Sequence, residues 1–400
     1  MRGGQPMDNE SAKKNQPRNK DVLNVVEDFD CSTQNSTYNK FFKEWRKRKD
    51  NPYAFNFKAN KKEKIFNDSR GFEKQLPEKA EKTIINRLMY IIGIAMLLVI
   101  VIDSVFGKFT IYALGLLGFD LHINIITSAM YGDVFMVLCA FLCISVLKLL
   151  VPVIYIAKKL KMPCRIGFMS KVNSSAEILN AIGLTLIACT VVCLPTAYSS
   201  DSKEIFTFVK TVHTDVSLWD STEFVVYTMF SIIVLPVLFE LFIHGPIFTA
   251  LRQFGDVFAI GVTTTIACVI TRDFTETPAV LIMTVIAAVS MLRSGTIMSA
   301  FLVNIIYRVY SFALINLEVS NSANMLIKRN IFMLSSLVAG VVLSGSVYVF
   351  YKITKRKKHY IAAYSSDLSP ARRFYVAARS YPFMAVVFVC IIDAAAKIVF

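Results

Sequence analysis

The chain has 400 residues, of which 54% are hydrophobic and 18% charged, and its mean hydropathy is +0.51. Because soluble proteins contain about 25% charged residues, this composition excludes a soluble globular enzyme and a secreted disulfide scaffold. The net charge of +15 is concentrated toward the start, since residues 1–87 hold 20 of the 44 Lys and Arg residues. We predict an all-α polytopic helical membrane bundle behind a basic tail.

Residues 1–87 form the predicted basic cytoplasmic tail. Its first part, 1–37, is polar and poor in aromatic residues, which favours disorder. Within 38–49, four aromatic residues recur at helical spacing among lysines and arginines: Tyr38, Phe41, Phe42 and Trp45. This pattern is typical of a short interfacial helix on the cytoplasmic headgroups. A solvated basic linker is the alternative, and the sequence leaves both open.

Apolar stretches that suit a bilayer core of about 30 Å recur along the rest of the chain. They are 88–106, 131–157, 176–197, 224–251, 257–271, 278–292, 297–317, 330–352 and 382–400. The segment 109–126 is a further candidate, which either crosses the membrane or lies in its interface. We expect an eight-span core in 88–352, followed in 353–400 by a basic loop and a ninth, C-terminal span.

The charges between these stretches indicate an orientation. Basic loops follow the second, fourth, sixth and eighth stretches, and the loops that precede the fourth and sixth are acidic. Since cytoplasmic loops carry the excess of Lys and Arg, we expect a multi-pass protein of the cell membrane with a cytoplasmic N-terminus. Basic segments of this kind bind anionic lipid headgroups, so the expected partner is the lipid bilayer and not nucleic acid.

Eight cysteines lie mostly inside apolar stretches, without a CxxC motif or a neighbouring histidine. We therefore read them as packing residues and expect neither a metal site nor a cofactor. The chain also has no visible internal repeat, which counts against a transporter built from inverted halves.

Ionisable residues inside a span cost about 2.5–3.5 kcal/mol each, so each one needs a reason. Glu240 and His244 share a helix face in the fourth stretch, as do Asn304 and Arg308 in the seventh. At 1.5 Å per residue, Glu240 and Arg308 lie at the same depth, roughly 16 Å from the cytoplasmic ends. We therefore expect an ion pair between them, which is either structural or part of an intramembrane reaction centre.

Another pair of charges, Asp393 and Lys397, lies four residues apart in the last stretch. We expect these two residues to form a local pair or an anchor at the interface.

The motif region, residues 220–317, resembles the CAAX protease and bacteriocin-processing (CPBP) family. Its first motif lies in Pro236–Gly255, and Leu292–Thr296 precedes the position of the third. The resemblance rests on the spacing of Pro236, Glu240, Gly245, Leu251, Phe254, Gly255, Arg293 and Gly295. It implies the eight-span fold of these intramembrane endopeptidases.

The resemblance also implies a chemistry and a class of partner. In such enzymes a motif-one glutamate activates water, and His and Asn side chains stabilise the oxyanion. Family members cleave prenylated CAAX C-termini or peptide leaders, and others act in bacteriocin immunity. A hydrophobic or prenylated peptide is therefore the implied substrate or partner.

Several family positions hold other residues in this chain. Phe239 stands where the family has its glutamate base, although the second glutamate is kept as Glu240. His244 replaces the motif-one arginine, and Thr271 replaces the second-motif histidine. In the third motif, Asn304 replaces the histidine and Arg308 replaces the closing asparagine. Phenylalanine cannot take a proton, and threonine is a weaker donor than imidazole.

Three functions follow from these substitutions. The first is a catalytically weakened protein or pseudoprotease, which binds a hydrophobic peptide or a membrane partner. The second is an active intramembrane peptidase that uses Glu240, His244 and Asn304. The third is a transporter or channel subunit in which a Glu240–Arg308 pair gates a pathway.

Overall fold

The computed structural model describes most of the chain beyond the tail. The described residues are 36–48, 51, 53, 64–67, 71–74, 77–124, 130–169, 171–172, 174–197, 221–273, 276–318, 323–354 and 368–399. The disorder predicted for 1–37 therefore falls outside the described residues up to position 35, whereas residues 36 and 37 begin helix α1. The basic positions 355–358 also lie outside the described residues.

Helices dominate the described chain, as the apolar stretches predict. The α-helices are α1 (Ser36–Lys47), α2 (Pro77–Ile100), α3 (Gly107–Leu116), α4 (Val134–Lys159), α5 (Cys164–Gly167), α6 (Ser175–Ala197), α7 (Ser221–Met229), α8 (Leu235–Phe242), α9 (Phe248–Leu251), α10 (Asp256–Thr271), α11 (Thr277–Ser294), α12 (Met298–Glu318), α13 (Ala323–Ile353), α14 (Pro370–Ala378) and α15 (Tyr381–Val399).

Two short antiparallel hairpins complete the described secondary structure. Strand β1 (Lys64–Asn67) pairs with β2 (Gly71–Lys74), with Ile65 opposite Glu73. Strand β3 (Leu121–Ile123) pairs with β4 (Met130–Gly132) between α3 and α4.

Six helical segments of the described chain are long and apolar enough to cross a membrane. They are Glu81–Leu116, Val134–Lys159, Ser175–Leu194, Thr222–Phe254, Thr277–Ser294 and Ile327–Ile353. A seventh arises if α14 and α15, bent by 74° at their junction, count as one span, while α10 and the Met298–Leu314 part of α12 are shorter apolar helices. The prediction of a multi-pass helical bundle is confirmed, and the number of nine spans stays a prediction.

The candidate segment 109–126 is not a separate helix. Helix α2 continues through a π-helical turn, Val101–Phe106, into α3, so that one helical segment of 36 residues extends from Glu81 to Leu116. At 1.5 Å per residue it is about 54 Å long, well beyond a bilayer core of about 30 Å. The chain then forms the β3–β4 hairpin, which packs on α3 and α4.

The core lies between closely packed helices. Helix α6 packs against α11, α12 and α13, and α11 also contacts α10. The backbones of α6 and α13 approach most closely at two glycines, because a Cβ atom on Gly183 would lie 2.8 Å from the Gly340 carbonyl oxygen. Small residues allow this approach, and dispersion contacts between the backbones then hold membrane helices together.

The aromatic face of helix α1 packs on protein. Phe42 and Trp45 are fully buried, and Trp45 Nε1 donates a hydrogen bond to the Leu160 carbonyl oxygen at 3.0 Å. The Arg165 guanidinium lies 5.7 Å from the centre of the Phe41 ring. Residues of α5 and the end of α4 thus cover the aromatic face of α1, and its position at the membrane interface stays a prediction.

Candidate functional site

The fourth apolar segment is broken close to its polar residues. Pro246 has no N–H for a helical hydrogen bond, and Gly245 adopts non-helical angles of φ −80° and ψ −117° inside a π-helical turn, Ile243–Ile247. A Cβ atom on Gly245 would lie 2.9 Å from the Phe168 ring, so only glycine fits at this contact. Helix α8 therefore ends at the polar residues, and the chain bends before α9.

Three of the predicted site residues meet beside this break. Glu240 and His244 are fully buried, and His244 Nδ1 forms a hydrogen bond with Glu240 Oε2. Asn304, from α12, donates a hydrogen bond from Nδ2 to Glu240 Oε1. Both carboxyl oxygens of Glu240 are thus occupied by protein groups.

The expected ion pair between Glu240 and Arg308 is wrong. Arg308 Nη1 lies 3.8 Å from Glu276 Oε1, and its guanidinium lies 5.5 Å from the centre of the Tyr307 ring. Asn304, one helical turn earlier, takes the place beside Glu240. The depth estimate assumed straight helices with a constant rise, whereas the fourth segment bends at Gly245.

Two further family-equivalent positions contribute no polar group to this centre. Phe239 is partly buried against the hydrophobic core. The Thr271 hydroxyl donates a hydrogen bond of 2.8 Å to the Ala267 carbonyl oxygen of its own helix. Since neighbours on a helix point about 100° apart, Phe239 and Glu240 also face different directions.

The second ring nitrogen of His244 is buried and, among the described residues, has no hydrogen-bond partner. The edge of the ring packs against Phe248, with ring centres 5.6 Å apart. A buried polar group without a partner costs about 1–3 kcal/mol, and one buried water or one ligand atom would remove this cost. The centre therefore offers one hydrogen-bonding position in an otherwise satisfied cluster.

A second buried ion pair lies at the end of the same segment. Arg252 Nε lies 2.8 Å from Asp256 Oδ1, and both side chains are almost completely buried. The two residues are four apart but do not share a helix, because Gly255, at φ 110°, separates Arg252 from α10, so the helical period does not predict this pair. Because the pair lies between α9 and α10, it stabilises the turn that includes Gly255.

Charged residues from distant segments also form a network, which the sequence did not reveal. Asp103 pairs with Lys148 at 3.0 Å and with Arg272, and Arg272 lies 3.6 Å from Asp393. Two acids and two bases thus connect α4, α15, the π-helical turn after α2 and the end of α10. The expected pairing of Asp393 with Lys397 stays a prediction, because the Lys397 side chain lies outside the described residues.

Within the described part of the chain, no group of three or more His, Cys, Asp and Glu side chains is arranged to hold a metal ion. Comparisons with known proteins found no protein-family model, curated protein or solved structure that matches this chain. The resemblance to the CPBP family therefore stays a prediction that rests on the motif spacing alone.

Proposed function

We propose that this chain is a multi-pass membrane pseudoprotease, related in plan to the CPBP endopeptidases, that binds a hydrophobic peptide or a membrane partner without cleaving it. One observation carries the proposal. Glu240, the acidic residue kept from the first motif, is fully buried, and both of its oxygens are held by His244 and Asn304.

A general base must come within about 2.6–3.2 Å of the water or group that it deprotonates. Glu240 and His244 have no accessible surface, so neither substrate nor bulk water reaches them in this arrangement. The position of the family base is held by Phe239, which cannot accept a proton. Loss of a base and its partners typically removes several orders of magnitude of rate.

The binding role is supported by the placement of the centre. The cluster lies in the interior of an apolar helical segment, where a polar group is costly unless it has a function or a partner. When α8 and α9 separate, the unsatisfied nitrogen of His244 becomes available for one hydrogen bond with the backbone of an inserted hydrophobic segment. The break at Gly245 and Pro246 gives α8 and α9 a point at which they can separate.

An active peptidase is the second candidate, because Glu240, His244 and Asn304 do converge. Glu240 would act as the base, His244 as the proton shuttle and Asn304 as the oxyanion donor. The transporter hypothesis loses its basis, since its gate required the Glu240–Arg308 pair.

The deciding experiment uses protein purified in detergent and a set of prenylated and leader peptides that carry a photo-crosslinker. We expect crosslinking that unlabelled peptide displaces, with no cleavage by mass spectrometry. Glu240→Gln tests the centre, and Glu276→Gln is the matched control. Cleavage that disappears in the first variant and persists in the second would establish the peptidase instead. Absence of displaceable crosslinking would contradict the binding role.

A further inference from the structure

A surface cavity of about 380 Å³ opens where the segment after α1 meets α2. It is lined by Tyr53, Asn86, Arg87, Tyr90 and Ile91. Its volume falls within the range of small-ligand sites, roughly 300–1,000 Å³. The cavity is separate from the Glu240 centre, and none of its lining residues takes part in that centre.

The outer wall of the cavity is fixed to the protein core. Gln253, fully buried in the turn after α9, donates a hydrogen bond from Nε2 to the Tyr53 carbonyl oxygen at 3.1 Å. The Tyr53 N–H donates to Asn51 Oδ1 at 3.1 Å, and Asn51 Nδ2 donates to the Trp45 carbonyl oxygen at 3.3 Å. Because Tyr53 is held from both sides, the cavity is a built feature of the fold.

The cavity lies near the start of the first membrane-capable segment. Arg87 is six residues into the first membrane-capable segment, which begins at Glu81, and thus about 9 Å from its end. This is the face that carries α1, which the charge pattern predicts to be cytoplasmic. Tyr90 is 53% exposed beside it, and tyrosine is enriched where headgroups meet hydrocarbon.

The lining is mostly apolar and includes one cationic residue. Arg87 is exposed and, among the described residues, no carboxylate pairs with it. Asn86 adds an amide, and the lining residues that the structure describes include no acidic side chain, while Ile91 and the tyrosine rings supply apolar surface. A guanidinium binds phosphate through two parallel N–H groups. An amphipathic anion whose apolar part continues into the membrane therefore complements this site.

We propose that this cavity binds the headgroup of an anionic phospholipid, with the phosphate on Arg87 and the acyl chains along the outer face of α2. A free phosphate would use only the guanidinium of Arg87. The apolar part of the lining, directly beside the membrane, favours a lipid as the occupant.

The test measures lipid retained by the purified protein. The protein, in detergent, is mixed with equal amounts of phosphatidylglycerol and phosphatidylcholine, and adducts are counted by native mass spectrometry. We expect selective retention of phosphatidylglycerol. Arg87→Gln should weaken it about fivefold, the effect of one cation near a charged lipid surface, and Arg87→Lys should weaken it less.

The matched control is Lys159→Gln, which removes an exposed cation on the same membrane face, at the end of α4 and outside the cavity. We expect less than a twofold change. Equal losses in Arg87→Gln and Lys159→Gln, or equal retention of both lipids, would overturn the proposal. Displacement of the lipid by millimolar inorganic phosphate would show a phosphate site and also overturn it. Because Arg87 is exposed, an unchanged melting temperature of Arg87→Gln verifies folding.

Discussion

Removal of the Asn304 side-chain amide, which donates a hydrogen bond to Glu240, tests the cluster of Glu240, His244 and Asn304 most directly. Asn304→Leu keeps the side-chain volume but leaves Glu240 Oε1 without its donor. A hydrogen bond to a buried carboxylate contributes about 1.5–3 kcal/mol in soluble proteins. In membrane proteins, measured coupling energies average about 0.6 kcal/mol and reach about 1.7 kcal/mol. Glu240 is fully buried and Asn304 is 8% exposed, so the upper part of that range applies.

We therefore expect Asn304→Leu to lower the free energy of unfolding by about 1.5 kcal/mol. The assay is equilibrium unfolding in mixed micelles with increasing mole fraction of dodecyl sulfate, followed by circular dichroism. Asn316→Leu is the matched control on the same helix, since Asn316 is exposed and its hydrogen-bond partner among the described residues is the Phe312 carbonyl oxygen of its own helix. It should change stability by less than about 0.5 kcal/mol.

A double-mutant cycle separates this bond from general packing. Glu240→Leu combined with Asn304→Leu should cost about 1 kcal/mol less than the sum of the single changes, because the two residues interact directly. Strictly additive losses, or equal losses in Asn304→Leu and Asn316→Leu, would refute the assignment of Asn304 as the partner of Glu240.

Three other outcomes follow from contacts described above. Gly183→Ala should lower the free energy of unfolding by about 1–3 kcal/mol, because the added Cβ would overlap α13. Gly345→Ala is the control: with open space around it, it should be neutral or stabilising by up to about 1 kcal/mol. Equal effects of the two changes on unfolding in micelles would contradict the close approach of α6 and α13. The losses of unfolding free energy caused by Glu240→Gln and Arg308→Met should be additive within about 0.5 kcal/mol in the same assay, since the two residues share no contact. A larger coupling energy would support an ion pair between Glu240 and Arg308. Trp45→Ala should weaken the packing of α1 on the protein by about 3–5 kcal/mol and accelerate tryptic cleavage within α1. Trp45→Phe should retain most of the resistance to trypsin. Unchanged cleavage in both variants would show that Trp45 does not anchor α1.

The helices were predictable because membrane helices are specified by length and composition. A run of about 20 apolar residues needs no knowledge of its neighbours to be recognised. Local pairs such as Glu240 with His244 were predictable for the same reason, since four residues return a helix to one face. Both predictions use only information within one segment.

Partners between segments were not predictable in the same way. Glu240 meets Asn304 and not Arg308 because the bend at Gly245 changes the depth that residue counting assigns. Arg272 meets Asp103 across 169 positions of sequence, and no single stretch carries that information. An amphipathic pattern such as that of α1 indicates that one helix face is buried against an apolar surface, but it does not distinguish lipid from protein as that surface.

The contact between α2 and α15 joins the first membrane-capable segment to the last helix of the described chain. Roughly 280 residues separate them, which a ribosome needs about 15–60 s to add at about 5–20 residues per second. During that interval the inserted α2 has no α15 beside it, and Arg272, once synthesised, lacks its contact with Asp393. The nascent bundle must therefore persist in an incomplete form, and that interval is when insertion machinery or a membrane protease has access to it.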